Sequence, residues 1–185
     1  MLLVAVVAMV GSGSSKGAEP GEKGRFVDAC YERLRANDLS KVKDCFTDDF
    51  QMFGPESKLL GLSARGEALA RMMAAGFAVD GSGWTTEFRL DDESEVGDTL
   101  WRQMTWIGRN PRGPYFGFTS LPPDLELQMP MLFKYTFRDG RIAEHSYMYD
   151  TVGALIDMAG GDYKAGVEKL LEIAPMIEQM RSASP

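Results

Sequence analysis

The stretch Met129-Pro130-Met131-Leu132-Phe133-Lys134-Tyr135-Thr136-Phe137-Arg138, then Asp139-Gly140, then Arg141-Ile142-Ala143-Glu144-His145-Ser146-Tyr147-Met148-Tyr149-Asp150 decides the reading of this chain. Asp-Gly between two runs of aromatic and β-compatible residues signals a hairpin, because both turn positions tolerate positive φ. In the second run Glu144 and Asp150 stand an even number of residues apart, so an unbroken strand points both carboxylates to one face. An acid on a face that must bury apolar neighbours is costly unless it is paired or put to use. The pattern therefore points to a pocket.

The turn sets which residues share that face. A two-residue turn opposes Arg138 with Arg141, Phe137 with Ile142, Tyr135 with Glu144 and Met131 with Met148. The face is then apolar, gathering Phe133, Tyr135 and Phe137 with Ile142 and Met148, and Glu144, Ser146 and Asp150 are set into it. A three-residue turn with a bulge opposes Thr136 with Ile142 and Lys134 with Glu144 instead, and moves the whole first strand to the other face. The pattern favours the first register, and a hydrogen-bonded pairing of Lys134 with Glu144 across the strands would refute it.

With 185 residues, 44% of them hydrophobic, the chain is long enough for one domain with a sizeable core. Lys and Arg number 20 against 27 Asp and Glu, a formal net charge of −7, and no basic stripe stands out, which excludes a nucleic-acid surface. Two cysteines, Cys30 and Cys45, cannot form a disulfide framework. They read as two small buried hydrophobes, with one disulfide between them as the other reading. A single histidine, His145, excludes a His-rich zinc site, and Cys30, Cys45 and His145 fit no metal-ligand spacing.

Leu2 to Val10 is an apolar run long enough for a signal-peptide core and too short to span a bilayer. It reads either as a secretory or organelle-targeting leader or as a truncated or mis-started beginning, and residues 1–23 as leader and flexible linker. Helical spacing of Phe26, Ala29, Cys30, Arg33 and Leu34 predicts a first helix from Gly24 to Ala36, broken at Asn37-Asp38. Leu39 to Phe46 reads as a short helix, Phe50 to Phe53 as a strand, and Ser63 to Gly76 as a third helix. The period then becomes extended. Strands are predicted at Trp84–Leu90, Val96–Ile107 and Tyr115–Thr119, with Asp91–Ser94 as a turn, and Leu100, Met104 and Trp106 share one face. After the hairpin, Thr151–Ala159 is helical. Asp162 caps a last helix from Tyr163 to Arg181 that contains Pro175. Helices gathered ahead of antiparallel strands define an α+β class.

Gly140-Arg141-Ile142-Ala143-Glu144-His145, then Asp150 with a short helix ending at Gly160, together with Phe46-Thr47-Asp48-Asp49-Phe50, resembles the SnoaL-like polyketide cyclase group of the nuclear transport factor and ketosteroid isomerase superfamily. The resemblance spans roughly residues 24–160 and leaves 161–185 as a C-terminal helical extension. It implies a cone-shaped curved sheet, antiparallel with a mixed part, and N-terminal helices across its concave face. It also implies an aspartate at the Asp150 position acting as acid/base in an aldol ring closure of an aromatic polyketide ester, without metal or cofactor. Three departures stand out: Met148 where such enzymes often carry a polar residue, the Gly/Pro-rich loop Gly108–Pro114, and the added C-terminal helix.

Asp150 is therefore the candidate catalytic residue. Burial among Phe, Tyr and Met side chains would raise its pKa and suit it to move a proton beside a carbonyl. An aspartate just before Thr151 also reads as a helix cap. Tyr135, Glu144, Met148, Phe133 and Trp106 are the candidate substrate-binding residues. Tyr135 offers a hydroxyl to an oxyanion, and Glu144 is either a second pocket acid or half of a structural pair. His145, on the face opposite Asp150, forms no dyad with it. The expected partner is an apolar or aromatic small molecule, with no cofactor, no nucleic acid and no membrane span. The rival is a non-catalytic module dimerising or binding a partner through its outer sheet face, where Tyr147, Tyr149 and Leu132 would sit.

Overall fold

The computed structural model describes residues 18–55, 64–78, 85–109, 121–122 and 124–183. In chain order the elements are α1 (Glu22–Arg35), α2 (Val42–Cys45), β1 (Phe46–Phe53), α3 (Gly66–Ala78), β2 (Thr85–Val96), β3 (Thr99–Arg109), β4 (Glu126–Arg138), β5 (Arg141–Tyr149), α4 (Thr151–Met158) and α5 (Tyr163–Ala183). The strands form one open sheet in the order β1-β5-β4-β3-β2. β1 runs parallel to β5, and the remaining neighbours pair antiparallel. The α+β class holds, with α1 laid across one face of a mixed sheet.

That inner face carries Phe88 and Leu90 from β2, Leu100, Met104 and Trp106 from β3, Met131, Phe133, Tyr135 and Phe137 from β4, and Ile142 from β5, all buried. From α1, Val27, Tyr31 and Leu34 pack onto it at helical spacing. Asn37, with φ of 53°, ends the helix where the sequence places the break.

Two expectations need correcting. The acidic run Asp91–Ser94 is strand, not turn, and β2 continues to Val96 with a register shift between Leu90 and Asp92. Its charges have partners on neighbouring elements: Asp91 accepts from Arg89 and from the Thr105 hydroxyl, and Glu93 meets Arg102. The turn falls instead at Gly97-Asp98, where Gly97 takes φ of 56°. The two cysteines are buried but not separate, because Cys30 and Cys45 form a disulfide with Cα atoms 5.6 Å apart, a usual span for the bond. Cross-linking α1 to the end of α2 across so short a loop is worth about 3 kcal/mol in the chain-entropy account. The strand expected at Tyr115–Thr119, the tryptophan at 84 and residues 1–17 lie outside the described residues.

α1 is fixed to the sheet by a buried cation. The Arg102 side chain is only 3% exposed and meets Asp28 of α1 at 2.6 and 3.1 Å and Glu93 of β2 at 2.9 Å. Burial opposes its charge, but the hydrogen bonds and charge of Asp28, with Tyr135 and Glu93, outweigh that and raise its pKa. Glu93 also accepts from the Gly21 amide at 2.5 Å, at the start of α1. Removing one member leaves two acids without their cation in a mostly dry setting. Arg102→Ala is expected to lower unfolding free energy by about 3–5 kcal/mol, read from urea denaturation midpoints.

Candidate functional site

The hairpin turn is the two-residue one, with Asp139 at φ of 52° and Gly140 at 72°. Arg138 opposes Arg141 and Phe137 opposes Ile142, as the Asp-Gly turn predicts. The register then shifts: Thr136 opposes Glu144, Tyr135 opposes His145, Phe133 opposes Tyr147 and Met131 opposes Tyr149. Ala143 is thus an extra residue in β5, and everything after it changes face. His145 and Tyr147 turn inward and are buried, whereas Glu144, Ser146, Met148 and Asp150 lie on the other side. The expected pairings of Tyr135 with Glu144 and of Met131 with Met148 do not form.

The inner cluster is built around His145. Its ring stacks on Tyr135 with centroids 4.5 Å apart at 17° and on Phe133 at 5.5 Å, lies 5.4 Å from Tyr147, and meets the edge of Tyr31 at 90°. Nδ1 lies 2.5 Å from the Tyr31 hydroxyl, a bond that joins α1 to β5. Nε2 is buried and has no hydrogen-bond partner among the described residues. Burial pushes the His145 pKa down from 6.5 to about 3, so the imidazole is neutral at ordinary pH. Burial, helped by the neighbouring tyrosines, raises the Tyr31 pKa well above its ordinary value. Burial likewise raises that of Tyr135, against the pull of Arg102. The cluster is a neutral imidazole in an aromatic cage with one ring nitrogen unsatisfied.

The predicted site residues divide between the two faces. Tyr135, Phe133 and Trp106 are buried on the inner face, and the first two border His145. Met148 is on the outer face and 62% exposed, so it lines no interior. Glu144 is half-buried there, 3.5 Å from the Lys134 ammonium and accepting from the Ser146 hydroxyl at 2.9 Å, which is the structural-pair reading. Asp150 is exposed and caps α4, where Gly153 N–H donates to its Oδ1 at 2.8 Å. The apolar surroundings expected around it are not there, because the bulge turns it outward. Tyr147 and Tyr149, expected on an outer interface, share the inner face, while Leu132 pairs with Met148 on the outer one.

His145 and Tyr31 are the residues that sequence reasoning passed over. Their trace is the spacing of Ile142, His145, Tyr147 and Tyr149, which opens with a step of three and continues in steps of two. A separate surface pocket of about 190 Å³ is lined by Val42, Lys43, Phe46, Thr47, Asp48 and Glu67. Among the described residues no cluster of His, Cys, Asp or Glu is arranged to hold a metal ion, and no helix is long and apolar enough to cross a membrane.

A mixed sheet with helices over its inner face and an aromatic interior belongs to the NTF2-like class of α+β folds. The SnoaL-like domain profile matches residues 27–145, more than half of the chain, and the chain belongs to that family. IdmH of Streptomyces antibioticus, described as a proposed polyketide cyclase, is 20% identical with a TM-score of 0.54, over 76% of this chain and 99% of that one. A protein of Acidithiobacillus ferrooxidans given the same provisional description is 10% identical with a TM-score of 0.56, over 78% of this chain and 99% of that one. TsrD of Streptomyces laurentii is 21% identical with a TM-score of 0.50, over 77% and 99%. These likenesses establish the fold. No functionally curated protein matches the sequence at a significant level.

Two outcomes follow from this geometry. Asp150→Ala is expected to cost about 1 kcal/mol through the lost cap, whereas Asp150→Asn, which caps as well, leaves the melting temperature nearly unchanged. For His145, the unfolded chain binds a proton between pH 6.5 and about 3 that the folded chain does not. Its contribution is complete above that window and is lost as pH falls through it. His145→Gln is expected to flatten the stability-against-pH curve over that range relative to wild type, whose carboxylates titrate in both proteins.

Proposed function

We propose that this SnoaL-like protein binds a flat, largely apolar small molecule in its aromatic interior and can polarise a carbonyl there without a cofactor, with His145 as the polar contact. The observation that carries the reading is the buried, unsatisfied Nε2. A buried polar group without a partner costs about 1–3 kcal/mol, and a ligand that satisfies it recovers that cost. Tyr135, Phe133 and Tyr147 supply ring faces and edges around the same imidazole, a mostly apolar surrounding with few polar groups of the kind small-molecule sites use. The imidazole, neutral at working pH, hydrogen-bonds to a carbonyl or enol and so eases isomerisation or cyclisation beside it. The family's fold, shared with proteins described as polyketide cyclases, agrees with this class of chemistry.

A second reading rests on the outer face. Met148 opposite Leu132, with Trp101 at 37% exposure, leaves apolar surface there, which suits a non-catalytic dimerisation or partner-binding module. Native mass spectrometry of the purified full chain separates the two. The first reading expects a bound organic molecule, or uptake of a flat aromatic ketone, that is lost in His145→Leu. A wild-type chain that takes up no such compound and runs as a dimer supports the second and sinks the first.

A further inference from the structure

We propose that Tyr31 is a positioning residue that fixes His145 as the tautomer with its proton on Nε2, so that the site presents a hydrogen-bond donor and selects an uncharged carbonyl oxygen on a flat conjugated molecule. The inference rests on the small-molecule reading above and narrows it to one ligand chemistry.

Tyr31 Oη and His145 Nδ1 stand 2.5 Å apart, so one hydrogen lies between them. Either the phenol donates to a bare Nδ1, or an Nδ1–H donates to the phenol oxygen. In the second case the phenol must send its own hydrogen elsewhere, and among the described residues His145 Nδ1 is its one hydrogen-bond partner. Burial keeps that phenol protonated. The hydroxyl therefore donates to Nδ1, and a neutral imidazole with a bare Nδ1 carries its proton on Nε2. That N–H is the buried group left without an acceptor.

A donor of this kind discriminates among ligands. It satisfies a carbonyl oxygen, and it repels a protonated amine or a group that can only donate. It also leaves no bare ring nitrogen for a metal, since Nδ1 is engaged and Nε2 is protonated. Burying a ligand charge in this aromatic interior would cost its hydration, and Arg102, held against both Asp28 and Glu93, is not free to offset it. In this arrangement His145 polarises the carbonyl without giving up its proton, and Tyr31 acts through it without touching the ligand.

The chain has a single histidine, so its ring nitrogens are assigned without ambiguity in a long-range proton–nitrogen correlation spectrum. In the ligand-free full chain, Nε2 is expected at a protonated-type shift and Nδ1 at an acceptor-type shift. The reverse pattern overturns the proposal with no variant needed. Tyr31→Phe is expected to release the lock and give a tautomer mixture, which a merely structural role would not produce. Titration with 9-fluorenone and with fluorene, the same shape without the carbonyl, reads the ligand class. Wild type is expected to prefer fluorenone by about tenfold, the worth of one hydrogen bond to an otherwise unsatisfied donor, and Tyr31→Phe to lose most of that preference. Equal binding of the two probes overturns acceptor selection while leaving a binding site in place. An Nε2–H signal with neither probe bound upholds the role of Tyr31 but overturns the small-molecule reading and the ligand selection built on it.

Discussion

Ala143, the residue in excess on β5, governs where every later side chain of that strand goes. Without it, Glu144 would face Tyr135 inside the core, a carboxylate among rings, and such burial is costly. With it, Glu144 sits on the outer side beside Lys134 and Ser146, and an imidazole with a small desolvation penalty takes the inner place. A neutral ring is far cheaper to bury than an ionised acid, and its stacking on Tyr135 and Phe133 with the Tyr31 hydrogen bond offsets part of what remains. The bulge also turns Asp150 to solvent at the start of α4, where capping is the work geometry leaves it.

The Tyr31–His145 bond spans 114 residues of sequence and holds only if α1 keeps its place on the sheet. Several links ensure this. Glu93 and Glu95 of β2 accept from the Gly21 and Lys23 amides at the start of α1. Asp28 meets Arg102 one turn before Tyr31, and Cys30, the residue next to Tyr31, is covalently joined to Cys45. Side chains at 27, 31 and 34 face the sheet, while 28 reaches the arginine at the flank. The helix is held along its length, and a phenol on its buried face is thereby fixed to within hydrogen-bond tolerance. Rigid support of this sort lets a buried donor keep one orientation.

The elements were largely legible because their signals are local. Asp139-Gly140 announces its own turn, Asn37 its helix end, and alternation in β3 gives the buried face of Leu100, Met104 and Trp106. The site was not, because a single added residue inverts a face without altering composition, and alternation read straight through Ala143 puts acids inside and His145 outside. The disulfide stayed the second reading and the Arg102 network escaped for a related reason: Cys30 with Cys45, and Asp28 with Arg102 and Glu93, are brought together by packing of separate elements. The acidic run read as a turn at Asp91–Ser94 is strand only because Arg89, Thr105 and Arg102 are there to receive it.

Moving the polar contact from Asp150 to His145 changes what kind of interior this member of the family offers. A carboxylate at the mouth would bring a charge and a proton acceptor. The inner cluster holds an imidazole with the phenols of Tyr31, Tyr135 and Tyr147, and burial displaces the pKa values of His145, Tyr31 and Tyr135 toward the uncharged form. The charges at its border are tied to one another across Asp28, Arg102 and Glu93. A ligand that enters such a place with its own charge surrenders its hydration, whereas a neutral conjugated molecule surrenders little and gains ring contacts. On the proposed reading, selectivity follows from what the protein keeps neutral, and that neutrality is set by the fold.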